Sequence, residues 1–185
     1  GAEILLCHAD VSVDEDCRRM ASQTIAKWGR IDGLVNNAGR SRFVNLEDLE
    51  ALSADDFLDL CAVNVVGPFQ MARAVAPQMK AQGKGAIVNV SSTSGITGSG
   101  SSIAYAASKG ALNTMTMSLA RALGPEIRVN SVCPGFMRTR WWWDVLGDER
   151  YRAKVVRVGE GAPLKAAGTP EAVAEPVVWL LEGAE

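Results

Sequence analysis

Hydrophobic positions fall into short unbroken runs separated by longer stretches in which apolar residues recur every three or four positions. Short runs suit strands buried on both faces and the periodic stretches suit crossover helices, so the alternation predicts an α/β fold on a parallel sheet. Residues 2–9 open the pattern as a predicted buried strand. Residues 14–28 follow as a predicted helix, with Cys17, Met20, Ala21, Thr24 and Trp28 at helical spacing and Gly29 as its stop. Residues 31–36 form a second predicted strand, which runs into Asn36-Asn37-Ala38-Gly39, where small residues let a ligand approach the backbone.

Ser53, with Asp56 three residues on, marks the start of a long helix that reaches residue 82. Proline has no N–H for the helical ladder, so Pro68 predicts a bend and Pro77 a fresh helical start. Residues 85–91 are a third predicted strand, followed at its carboxyl end by a Gly/Ser/Thr-rich loop over 92–102. A helix over 103–123 closes at Gly124 and Pro125, and residues 126–133 form a fourth strand from which Pro134-Gly135 turns away. Residues 138–158 lose this rhythm, and Thr169-Pro170-Glu171 begins a last helix running to residue 182. A chain that opens on a strand and stops after a helix reads as one truncated domain, residues 1–185, cut from a larger sheet.

Composition adds mainly exclusions. With 48% apolar and 22% charged residues the chain is ordinary globular material, and a net charge of −2 without basic blocks gives no footprint for nucleic acid or an anionic membrane. No apolar run approaches the roughly 20 residues that cross a bilayer, so the expectation is a cytoplasmic protein. Cys7, Cys17, Cys61 and Cys133 are scattered and His8 is the single histidine. Zinc spacing is therefore absent, no metal site is expected, and the cysteines read as reduced structural residues. His8, in an apolar run, reads as a partly buried, satisfied histidine.

The candidate chemistry lies in the second half. Tyr105 and Lys109, four residues apart on the predicted helix, share one face. A nearby ammonium favours the phenolate, so the pair reads as a tuned acid and base. Ser92 sits where a parallel strand ends, the edge at which open α/β sheets bind ligands, and its hydroxyl can hold a carbonyl oxygen near Tyr105. Ser91 is the alternative. This set suits proton transfer at an alcohol or ketone oxygen, with hydride carried by a bound nicotinamide because no side chain can carry it.

The order of motifs carries a resemblance. Asn36-Asn37-Ala38-Gly39, the Asn64-x-x-Gly67 segment, Ser92 thirteen residues before Tyr105-Ala106-Ala107-Ser108-Lys109, and Pro134-Gly135 with Thr139 resemble the short-chain dehydrogenase/reductase family. The resemblance implies a doubly wound, Rossmann-like parallel sheet and an NAD- or NADP-dependent oxidoreductase acting on a small carbonyl or secondary alcohol substrate, assembled as a homodimer or homotetramer. It implies that Tyr105 is the acid/base, that Lys109 lowers its pKa and holds the nicotinamide ribose, and that Ser92 orients the substrate oxygen. Asn64 matches the asparagine that holds a relay water, although a buried asparagine beside Pro68 could instead satisfy backbone groups freed by the bend. Asp10 and Val11 match the pair that meets the adenine, with a helix-capping role for Asp10 as the alternative. Asn37, Ala38 and Gly39 match the segment lining the cofactor, with Tyr105, Lys109, Pro134, Gly135, Met137 and Thr139 completing its surroundings.

Residues 138–165 resemble the family's variable substrate lid, in which Trp141, Trp142 and Trp143 line a pocket, an interface or the core. No G-x-G-x-x-G turn is present, so the resemblance starts at the family's third strand and implies that the first two strands, the phosphate-binding turn and the final strand are missing. NAD and NADP are therefore not distinguished. 3-Oxoacyl carrier-protein reductases and dehydrogenases of sugars and other secondary alcohols resemble the chain equally. A catalytically silent relative that binds a ligand or partner, or an inactive gene fragment, is the alternative reading.

Overall fold

A computed structural model describes residues 2–183. Three parallel strands form the sheet in the order β1 (Gly33–Asn36), β2 (Gly85–Val90), β3 (Ile127–Val132), with Asn36 opposite Asn89 and Val90 opposite Val132. Helices connect them: α1 (Asp14–Trp28) precedes β1, α2 (Ala54–Cys61) and α3 (Gly67–Ala81) lie between β1 and β2, and α4 (Ser94–Thr97) and α5 (Ile103–Leu123) lie between β2 and β3. After β3 come α6 (Arg140–Leu146), α7 (Asp148–Gly161) and α8 (Pro170–Glu182).

The period of two along each strand sorts the helices onto two faces. Leu34, Ile87, Ile127 and Val129 pack with Cys17, Ala21, Met71, Val75 and Met79 of α1 and α3. Arg128 points the other way, where its guanidinium donates to the Leu180 and Leu181 carbonyls and closes the end of α8. The sheet is thus covered on both sides, as in a doubly wound fold.

Four expectations are corrected. Residues 2–9 are not a buried strand: they run extended with alternating half-burial, and a cavity of about 410 Å³ lined by Leu5, Cys7, Ile31 and Leu34 separates them from β1. A strand requires a hydrogen-bonding neighbour, and none of the described residues supplies a backbone ladder there. His8 on this segment is exposed rather than partly buried. Pro77 starts no new helix but sits inside α3 on an exposed face, where water can satisfy the carbonyl it leaves unpaired. The loop over 92–102 contains the single turn α4, ended by Gly98 at φ 71°.

Pro68 does mark an irregularity. A π-helical turn over Ala62–Val66, in which the Gly67 N–H reaches the Ala62 carbonyl, joins α2 to α3. The Ser53–Asp56 capping box and the Thr169 cap with Pro170 in the first turn occur as the sequence predicts.

Candidate active site

The carboxyl ends of β1, β2 and β3 lie side by side, so the segments that follow them converge on one edge. At the end of β2 the two adjacent serines divide the work. Ser91 turns inward and donates to the Lys109 carbonyl at 3.2 Å, which removes it from the cleft. Ser92 accepts from the Ser94 N–H at 3.1 Å, and its hydroxyl hydrogen-bonds the Tyr105 phenol. Gly95 lets α4 lie against α5: a Cβ there would stand 2.5 Å from the Lys109 carbonyl carbon. The sequence spacing that favours Ser92 over Ser91 therefore has a geometric counterpart.

Helix α5 begins at the Ser102 cap, whose hydroxyl accepts from the Tyr105 N–H, and presents Tyr105 and Lys109 one turn apart. Lys109 is 4% exposed and its Nζ donates to the Val90 carbonyl at 2.9 Å, leaving two N–H groups without a protein acceptor. Burial pushes its pKa down to about 8. The Tyr105 phenol moves the opposite way from the expected lowering by Lys109: burial pushes it up, and a hydrogen bond with the Ser92 hydroxyl pulls it back. The reason is geometric, since Nζ lies 5.8 Å from the Tyr105 ring centroid with its one protein bond aimed at Val90.

Asn64 sits in the π turn and is fully buried. Its Oδ1 accepts from the Arg40 N–H at 2.8 Å, and its Nδ2 donates to the Arg40 carbonyl at 2.9 Å and to Ser108 Oγ at 3.0 Å. The side chain thus clamps the peptide that follows Gly39 rather than satisfying groups freed by the bend. It also brings the strand-end segment to α5: a Cβ on Gly39 would lie 3.5 Å from Asn64 Oδ1 and 3.7 Å from Lys109 Nζ. Because Pro68 has no N–H to return to this turn, the backbone carbonyls of Val63 and Asn64 receive none from it.

The remaining positions fall around this cluster. Asn37, Ala38 and Gly39 are exposed at the end of β1, while Asn36 turns inward and donates to Asn89 Oδ1 at 2.8 Å, which separates the two adjacent asparagines. Pro134 accepts from the Thr93 N–H, so Gly135 and the following residues run past Ser92. Met137 pairs with Gly168, and Thr139 precedes α6 without using its hydroxyl to cap it. Asp10 accepts from the Ser12 N–H and Oγ, ordering the turn before α1 rather than capping the helix, and Val11 accepts from Gln70 Nε2.

Sequence reasoning missed two contributors and left a third, Trp141, open between pocket, interface and core. Ser108 holds Asn64, and its signal is its place three residues after Tyr105 on the same helix. Asn89 links Asn36 to Thr116 of α5 through 2.8 Å bonds, and its signal is a polar residue in register with Asn36 on otherwise apolar strands. Trp141 meets the Tyr105 ring edge to face at 6.5 Å, which spacing alone does not reveal.

The donors present fit the nicotinamide-ribose half of a dinucleotide: two unused N–H groups on Lys109, a free Thr139 hydroxyl, and a Gly39 whose missing side chain leaves room beside both Lys109 and Asn64. They do not supply a cradle for its pyrophosphate. The N-terminus of α1 carries Asp14, Glu15 and Asp16 in its first turn, a charge that repels phosphate. Among the described residues no cluster of His, Cys, Asp or Glu suits a metal ion, and no helix is long and apolar enough to cross a membrane.

Comparison with known proteins bears on the family and the fold. The family model described as Enoyl-(Acyl carrier protein) reductase matches residues 1–185. The 2-(S)-hydroxypropyl-CoM dehydrogenase 3 of Xanthobacter autotrophicus is 38% identical over 175 residues, 94% of this chain and 68% of that protein. The chain belongs to the short-chain dehydrogenase/reductase family. The solved structure of an NAD+-bound xylitol dehydrogenase superposes with a TM-score of 0.84 at 30% identity, covering 95% of this chain and 71% of that one. A gluconate 5-dehydrogenase from Burkholderia cenocepacia, in complex with NADP and tartrate, superposes with a TM-score of 0.81 at 30% identity, covering 92% and 65%. The chain therefore spans about two thirds of the length of these short-chain dehydrogenases, whose structures hold either nicotinamide cofactor.

Proposed function

We propose that this short-chain dehydrogenase/reductase interconverts a ketone and a secondary alcohol, with Tyr105 as the proton donor and acceptor at the substrate oxygen. The observation that carries the reading is the convergence of Ser92, Tyr105 and Lys109 at the carboxyl edge of the sheet, with Asn64 clamping the segment beside them. Ser92 holds the carbonyl oxygen, and the buried phenol, kept protonated through neutral pH, gives it a proton. Lys109 holds the ribose of the cofactor with the N–H groups that its bond to Val90 leaves over. A bound nicotinamide, NAD or NADP, supplies or accepts the hydride. Asn37, Ala38, Gly39, Pro134, Gly135, Met137 and Thr139 line it, Asp10 and Val11 border its adenine end, and residues 138–165 form the lid over the substrate.

The single domain over 1–185 has its assembly face on α2, α3 and α5. Leu58, Phe69 and Met117 are 67%, 42% and 54% exposed there, beside an apolar groove of about 320 Å³ between α3 and α5. We assign this face to a second copy of the chain, giving a homodimer or homotetramer that sedimentation velocity would detect. A monomer at all concentrations would refute the assignment. Four free thiols suit a reducing cytoplasm.

Tyr105→Phe tests the chemistry. The variant should lose ketone reduction while binding NADH or NADPH as the parent does, and retained turnover would refute the catalytic assignment.

A further inference from the structure

The three consecutive tryptophans have three different environments. Trp142 packs between Phe43, with ring centroids 5.3 Å apart, and Phe136, at 5.2 Å, and Lys154 Nζ lies 4.9 Å from its ring. It anchors α6 to the segments that follow β1 and β3. Trp143 donates its indole N–H to Asp148 at the start of α7. Trp141 differs from both: its ring, 43% exposed, stands edge to face with Tyr105 at 6.5 Å and 84°.

Resting on the reading above, we infer that Trp141 is the specificity-determining wall of the substrate pocket and selects carbonyl compounds bearing an aryl group on the reacting carbon. A carbonyl oxygen held by Ser92 and Tyr105 places its carbon beside the phenol, so a substituent on that carbon meets the one ring that already touches the phenol and is still half open. Aromatic rings stack edge to face or offset at such separations, so an aryl substituent extends the row of rings that Tyr105 and Trp141 begin. A polyol would need a hydrogen-bonding partner for each hydroxyl taken out of water, and Trp141 with the Phe43, Phe136 and Trp142 cluster behind it offers rings instead. Trp142 is a positioning residue here, acting through the placement of α6.

The test compares acetophenone with 2-butanone on the chain and on its Trp141→Phe and Trp141→Ala variants. Turnover is followed at saturating NADH and at saturating NADPH, and acetophenone binding is followed independently by saturation-transfer NMR. Trp141→Ala should weaken acetophenone binding and raise its KM about tenfold, while kcat and the KM for 2-butanone stay within about twofold and Trp141→Phe keeps most of the preference. Equal effects on both ketones, or unchanged acetophenone binding in Trp141→Ala, would overturn the inference. The NMR arm separates the two proposals. Trp141-dependent acetophenone binding without turnover of either ketone refutes the proposed function and leaves this inference standing. Turnover of 2-butanone without acetophenone binding refutes this inference alone.

Discussion

At Lys109 a cationic side chain is held in a site that water barely reaches, and the cost is visible in its pKa of about 8. The unfolded chain gives up this proton near 10.5 and the folded chain near 8, so between those values the unfolded state binds more protons and stability rises with pH. Below pH 8 both states are protonated and the folded state carries the full penalty, about 3 kcal/mol from the size of the shift. Urea unfolding at pH 7.5 and pH 10 should show the chain gaining stability at the higher pH from this group, and Lys109→Met should not show that gain. An equal gain in the variant would mean that the penalty lies elsewhere. A group retained at such a cost is one whose donors are needed, which agrees with two of its N–H groups having no acceptor among the described residues. The sequence revealed Tyr105 and Lys109 because helical geometry converts a spacing of four directly into a shared face. The direction of the tyrosine's shift was not legible, because it depends on where a flexible lysine points rather than on its position along the chain.

Helices and strands were read most reliably where the determinant is local. Helices α1 and α5 match their predicted bounds, because α1 ends at Gly29, which adopts φ 73°, and α5 begins at the Ser102 cap. Residues 2–9 and Pro77 were misread because their state depends on what lies across from them: a strand on its partner, a proline on whether the carbonyl it orphans meets water. The Asn64 clamp on Arg40 was illegible for the same reason, since it spans 24 positions of chain. The contact between α4 and α5 is a sharper case. Gly95 meets backbone atoms of Lys109 and Gly110, with the nearest 2.5 Å from a Cβ placed there, and backbone cannot swing aside as a side chain can. Gly95→Ala should therefore destabilise the fold by about 3 kcal/mol and, by lifting α4, displace Ser92 from Tyr105 and reduce turnover beyond the loss of stability. Gly98→Ala, which meets no atom within 4 Å, carries only the backbone strain of φ 71° and serves as the comparison. Equal turnover in the two variants, measured well below their melting temperatures, would disprove the packing argument.

Across the whole molecule the two halves of a dinucleotide site are unequally provided. On the reading proposed above, the half that would meet the nicotinamide ribose has Lys109 beside Gly39. The half that would meet the pyrophosphate has only a helix N-terminus bearing three acidic residues. In such folds the pyrophosphate is drawn to backbone N–H groups at a helix start, so on this reading the chain keeps groups for the ring and ribose and lacks that attraction for the phosphates. Isothermal titration of the 185-residue chain should accordingly show NADH and NADPH binding far weaker than micromolar and nearly equal to each other, since the contacts present touch parts that the two cofactors share. Nicotinamide mononucleotide should lose much less relative to its expected affinity, because its ribose and ring meet the half that is complete. Micromolar binding of either dinucleotide, or a clear preference between them, would show that other residues of this chain grip the phosphates and that the acidic first turn of α1 is not the obstacle its charge implies.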